Sequence, residues 1–172
     1  MSNRQRIVGV MGSGSERHEE WSVPLGGLLA GLGVGLLTGG GQGVMEAVAE
    51  GFVAVEERAG VSIGILPGSG PGEPEAPPGY PNRFVEVVIR THLPGRGEEG
   101  ETSLSRNLIN IASADAVVIL PGGAGTASET RLANRFGKPV IGFGGGGESE
   151  GIPRAGTLAE VEEFLKAALG LR

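Results

Sequence analysis

Apolar residues follow two rhythms along this chain. Short unbroken runs, Ile7 to Met11, Gly35 to Thr38, Val61 to Leu66, Ala116 to Leu120 and Lys138 to Phe143, predict strands buried on both faces of a parallel sheet. Arg83 to Ile89 is more apolar than alternating and is also predicted as a strand. Between the runs, apolar side chains recur at helical spacing: Trp21, Leu25, Leu28, Leu29 and Leu32, then Met45, Val48, Ala49 and Phe52, then Leu108 and Ile111, and finally Leu158, Val161, Leu165, Ala168 and Leu169. Strand and helix alternate from end to end. The pattern predicts an α/β fold, one doubly wound parallel sheet of about six or seven strands flanked by helices, as a single domain over residues 1–172.

Glycine fills the joints between strand and helix. Gly12-Ser13-Gly14-Ser15 follows the first run, Gly39-Gly40-Gly41-Gln42-Gly43 the second, and Pro121-Gly122-Gly123-Ala124-Gly125 the run ending at Leu120, with a helix predicted to start at Thr126. In a parallel sheet these loops share the carboxyl edge, where ligands bind. A helix N-terminus there presents unpaired N–H groups and a partial positive charge, and glycine has no side chain to keep an anion away. The candidate phosphate or nucleotide contacts are Gly12, Ser13, Gly14, Gly40, Gly41, Gly43, Gly122, Gly123, Gly125 and Thr126.

Thr126 and Glu129 admit two roles. As T-x-x-E they would form a capping box, and Thr157 to Glu160 repeats that spacing at a helix with no sign of chemistry. Alternatively Glu129 is a carboxylate beside the bound phosphate, acting as a base or charge stabiliser. Arg106 stands 15 residues before Pro121, so a helix and a strand between them would return its guanidinium to the loop edge. Thr102 or Ser103 is expected to cap that helix, after a charged, glycine-rich and mobile linker from Pro94 to Glu101. Pro67 to Pro81 holds six of the eleven prolines and is expected to be a surface loop.

Composition narrows the partners. A formal charge of −6 argues against a sequence-independent grip on nucleic acid. With no cysteine there is no disulfide or thiolate site, and His18 and His92 lack metal-ligand spacing, so no metal is expected. No stretch has transmembrane length, and the N-terminus enters a short strand-like run instead of a signal-peptide segment, giving an expected cytoplasmic protein without membrane contact. NAD is disfavoured, because Arg17 stands where a dinucleotide loop needs a small residue and no acid follows the second strand.

PGGAGTASE, from Pro121 to Glu129, resembles the PGGxGTxxE motif of the LOG family, the cytokinin-type phosphoribohydrolases once labelled lysine decarboxylases. VGVMGSGS and TGGGQGVMEAVAEG are similar to that family's first and second loops, so the resemblance covers nearly the whole chain. It implies a Rossmann-like fold, a homodimer or higher homo-oligomer, and hydrolysis of the N-glycosidic bond of a nucleoside 5′-monophosphate to free base and ribose 5-phosphate, without a required cofactor. Arg106 and Glu129 fall on the family's catalytic positions. Around the arginine, however, Leu104-Ser105-Arg106-Asn107 replaces the family's HERK and is closer to a small bacterial branch that includes a molybdenum-cofactor carrier. That branch implies the alternative, a carrier or sensor of a phosphate-bearing cofactor such as molybdenum cofactor. PLP decarboxylation is rejected, since Lys138 at a strand entry and Lys166 on a polar helix face are the only lysines.

Overall fold

The computed structural model describes residues 4–172. Seven parallel strands form one sheet: β1 (Ile7–Met11), β2 (Gly35–Thr38), β3 (Ser62–Leu66), β4 (Val87–Arg90), β5 (Ala116–Ile119), β6 (Val140–Phe143) and β7 (Arg154–Ala155), in the order β4-β3-β2-β1-β5-β6-β7. Five α-helices accompany them: α1 (Glu19–Gly31), α2 (Val44–Val53), α3 (Asn107–Ser113), α4 (Ala124–Arg135) and α5 (Leu158–Leu169). This is the predicted α/β Rossmann-like architecture. Among the described residues no helix is long and apolar enough to cross a membrane.

Successive side chains of a strand point to opposite faces, and the central strands use both. Val8, Val10, Leu36, Ala116 and Val118 pack with α1, α2 and α5 residues such as Leu25, Phe52 and Leu165. Met11, Leu37, Val117 and Ile119 belong to the other layer, with Ile111 of α3 and Leu132 of α4. Helices α1 and α2 touch backbone to backbone. A Cβ on Gly26 would come within 2.6 Å of the Phe52 nitrogen, and one on Gly51 within 2.9 Å of the Val23 carbonyl carbon. At the start of α1, Arg17 forms ion pairs with Glu19, Glu46 and Glu50, tying the two helices again.

Three expectations need correction. The strand expected from Arg83 is confined to Val87–Arg90, because Asn82 turns the chain: its Oδ1 accepts from Phe84 N at 3.0 Å and its carbonyl from Val85 N at 3.3 Å. Pro94 to Glu101 is no loose linker, since Gly97–Glu101 forms a 3₁₀ turn against α4. Neither Thr102 nor Ser103 caps α3. Arg106 itself holds the N-cap position, and the Ser105 hydroxyl accepts from Asn107 N at 3.1 Å.

Candidate functional site

Strand order reverses between β1 and β5, and doubly wound sheets open a crevice at such a switch point, beyond the carboxyl ends of the strands. A cleft of about 370 Å³ lies there. Val10, Met11 and the Gly12–Ser15 loop form its floor, and Gly123, Gly125, Thr126 and Glu129 come from the start of α4. Arg106 and Asn107 enter at the head of α3, with Arg96 and Gly97 from the start of the preceding 3₁₀ turn, and Met45 of α2 and Tyr80 complete the lining.

Of the predicted site residues, the structure brings together Gly12, Ser13, Gly14, Arg106, Gly123, Gly125, Thr126 and Glu129. Gly40, Gly41, Gly43 and Gly122 stand outside the lining and shape what lies in front of them. A Cβ on Gly41 would sit 2.7 Å from Met45 Cε and 2.8 Å from Tyr80 Cε1, and one on Gly43 2.7 Å from the Gly14 carbonyl carbon. The Gly40 carbonyl accepts from Asn82 N at 2.7 Å, and a Cβ on Gly122 would lie 2.9 Å from Ser13 N. Ser13 ties the three loops together. Its N–H donates to the Pro121 carbonyl and its own carbonyl accepts from Val44 N, both at 2.9 Å, while its hydroxyl accepts from Glu16 N at 2.9 Å.

The helix expected at Thr126 starts two residues earlier. Gly123 occupies the N-cap position and no side chain caps α4, so the T-x-x-E string at Thr126 forms no capping box. The first intrahelical bond runs from Ala127 N to Gly123 O at 3.0 Å, and the N–H groups ahead of Ala127 have no acceptor within the helix. Two of those groups, on Gly125 and Thr126, belong to residues that border the cleft. Freed from capping, the Glu129 carboxyl lies buried in the cleft wall.

Glu129 and Arg106 form the electrostatic centre of this site. Burial pushes the Glu129 carboxyl up to about 7, against the opposing pull of the Arg106 guanidinium. Burial likewise lowers the guanidinium from its usual value, countered by Glu129 and by the Tyr80 phenol beside it. Arg106 as a whole is only 5% exposed, and its Nε has no hydrogen-bond partner. A buried, unpaired donor on a cation carries a desolvation cost that an anion in the cleft would offset.

Sequence inspection missed Gly39, Met45, Tyr80, Arg96, Gly97 and Asn107. Gly39 is the seat of the arginine, since a Cβ there would lie 2.6 Å from Arg106 Nη2. Gly39→Ala is expected to push the guanidinium out of place and weaken binding of a phosphomonoester by about tenfold, measured by calorimetric titration with ribose 5-phosphate. For Tyr80 a signal existed, as it is the only tyrosine and sits in a proline-rich loop.

The SLOG cluster4 family model matches residues 5–167. A molybdenum cofactor binding protein of the phototrophic bacterium Rippkaea orientalis is 32% identical, with a TM-score of 0.66 over 99% of this chain and 88% of that one. The molybdenum cofactor carrier protein of Chlamydomonas reinhardtii is 28% identical, with a TM-score of 0.73 over 97% of this chain and 99% of the other. An uncharacterized protein of Archaeoglobus fulgidus is 32% identical over 135 residues, 77% of this chain and 76% of that one. With a family match spanning nearly its whole length, the chain belongs to the SLOG cluster4 family.

Proposed function

We propose that the cleft binds a small phosphate-bearing molecule and that the protein holds it intact, as a carrier does. The observation behind this is the buried Arg106 guanidinium, with an unpaired Nε, facing a cleft edged by glycine loops. In this account the phosphate lies at the open first turn of α4, with Arg96 at the rim and the helix dipole adding attraction. A volume of about 370 Å³ falls within the roughly 300–1,000 Å³ of small-molecule sites.

The descriptions of the Rippkaea and Chlamydomonas proteins support a molybdenum-cofactor type of ligand. The residues fit such a cargo in one respect: Arg106, Arg96 and the α4 N-terminus suit its phosphate. With no cysteine in the chain, the protein offers no thiolate to the metal, which would keep its own ligands.

One observation favours a second function, N-glycosidic hydrolysis of a nucleoside 5′-monophosphate. A carboxyl titrating near 7 is suited to proton transfer at neutral pH, and an ionised Glu129 would stabilise an oxocarbenium-like sugar while taking a proton from the attacking water. The water oxygen would bond to C1′ as the C1′–N bond breaks, and the proton that Glu129 takes from the water would pass to the departing base, giving free base and ribose 5-phosphate. Incubation with a panel of nucleoside 5′-monophosphates separates the two. A carrier is expected to leave each nucleotide intact, and release of base that disappears in Glu129→Gln would make the protein a hydrolase instead.

The pH dependence has opposite signs in the two cases. A bound anion disfavours ionised Glu129, so binding takes up a proton once the free carboxyl is ionised. Affinity for ribose 5-phosphate is therefore expected to fall as pH rises above the folded value of about 7, by up to about tenfold per pH unit, while below about 6 the phosphate itself takes up a proton. Glu129→Gln should flatten the profile. Hydrolysis by an ionised Glu129 would instead rise through the same window.

A further inference from the structure

The cleft is lined by two chemically distinct sets of residues. Arg96, Arg106, Asn107 and the open N-terminus of α4 are cationic or polar, whereas Met45 and Tyr80 offer sulfur and aromatic surface. Tyr80 is the only aromatic residue on the lining, in a chain with 4% aromatics.

Its position is held from both directions by the second glycine loop. Before it, the Gly79 carbonyl accepts from Gln42 Nε2 at 2.9 Å. After it, Asn82 donates its backbone N–H to the Gly40 carbonyl and its side-chain Nδ2 to the Gly41 carbonyl, each at 2.7 Å. The buried Asn82 thus anchors to the sheet edge a loop that is otherwise rich in proline and exposed. Beneath the ring, Gly41 leaves the space into which Tyr80 and Met45 converge, for a Cβ there would lie within 2.8 Å of both side chains. Three hydrogen bonds thus hold an aromatic ring, packed beside a methionine, on the lining of the cleft.

We infer that Tyr80, backed by Met45, is the surface on which a planar heterocycle of the ligand packs, and that Tyr80 is a specificity-determining residue. The inference rests on the phosphate-binding function proposed above and extends it. It orients the ligand, with phosphate at the first turn of α4, ring system against Tyr80, and Arg106 between them, since the guanidinium lies near both Glu129 and Tyr80. The ligand class is then a phosphomonoester carrying a flat aromatic ring, as in a purine nucleotide or a phosphorylated pterin, and a bare sugar phosphate would use only half the site. Ring stacking is tolerant of ring identity, because every base has a π-face.

Calorimetric titrations of wild type, Tyr80→Leu and Tyr80→Phe with AMP and with ribose 5-phosphate test this. Tyr80→Leu is expected to weaken AMP binding by about tenfold to a hundredfold while leaving ribose 5-phosphate little changed, and Tyr80→Phe to restore AMP binding. If ribose 5-phosphate binds but Tyr80→Leu leaves AMP affinity intact, or weakens both probes alike, Tyr80 is no ring platform although the phosphate site stands. If neither probe binds wild type, the phosphate-binding function fails and this inference with it.

Discussion

Arg106→Met is expected to lower the affinity of the cleft for AMP by roughly ten- to a hundredfold, the worth of a charge-assisted hydrogen bond made away from water. The fold should survive the change. Removing one partner of a buried pair usually strands a charge at a cost of about 3–5 kcal/mol, but Glu129 already titrates at about 7 and can neutralise itself. Without the guanidinium its carboxyl should move above 7, since the one effect holding it down is gone. Calorimetry with AMP and carbon-13 NMR of the labelled Glu129 carboxyl measure the two effects. Affinity that is unchanged in the variant would remove Arg106 from the site.

The second large effect concerns stability. Gly51→Ala is expected to destabilise the protein by about 3 kcal/mol or more, because the added methyl meets the backbone of Val23 and no rotamer change relieves it. Gly26→Ala should behave alike against Val48 and Phe52. Combined, the two should cost less than their sum, because the first has already parted the helices. Gly27→Ala is an internal control. It lies in the same helix with nothing within 4 Å of its Cβ, and alanine there should stabilise by up to about 1 kcal/mol through helix propensity. Urea unfolding curves measure all four variants, and equal effects at Gly26, Gly27 and Gly51 would refute the close approach of α1 and α2.

These glycines show where sequence patterns stop being informative. Five strands were legible because each is a local apolar run, and the anion loops because each follows its strand directly. The contact between α1 and α2 was not legible. Gly26 and Gly51 lie 25 positions apart, and nothing local distinguishes a glycine that admits another backbone from one that faces solvent, as Gly27 shows.

The two T-x-x-E strings make the same point. Thr157 enters its helix from extended backbone, at φ −133° and ψ 158°, and its hydroxyl accepts from Glu160 N in a full capping box. At Thr126 the chain is already helical from Ala124, so the threonine sits one turn too late to cap and Glu129 is left for the cleft. The same T-x-x-E spacing has different outcomes because α4 has already begun at Ala124, whereas α5 begins at Leu158, just after its threonine. Spacing and resemblance together point to Arg106 and Glu129, whereas Tyr80 and Arg96 reach the cleft through loops whose course depends on side-chain anchors such as Asn82.

Recognition of a phosphate by this cleft is tested by a pair of calorimetric titrations of the wild-type protein with AMP and with adenosine. AMP is expected to bind saturably and adenosine with greatly reduced affinity, because without the phosphate the α4 N-terminus, Arg96 and Arg106 have no anion to meet. Equal affinity for AMP and adenosine, or no binding of AMP, would contradict it.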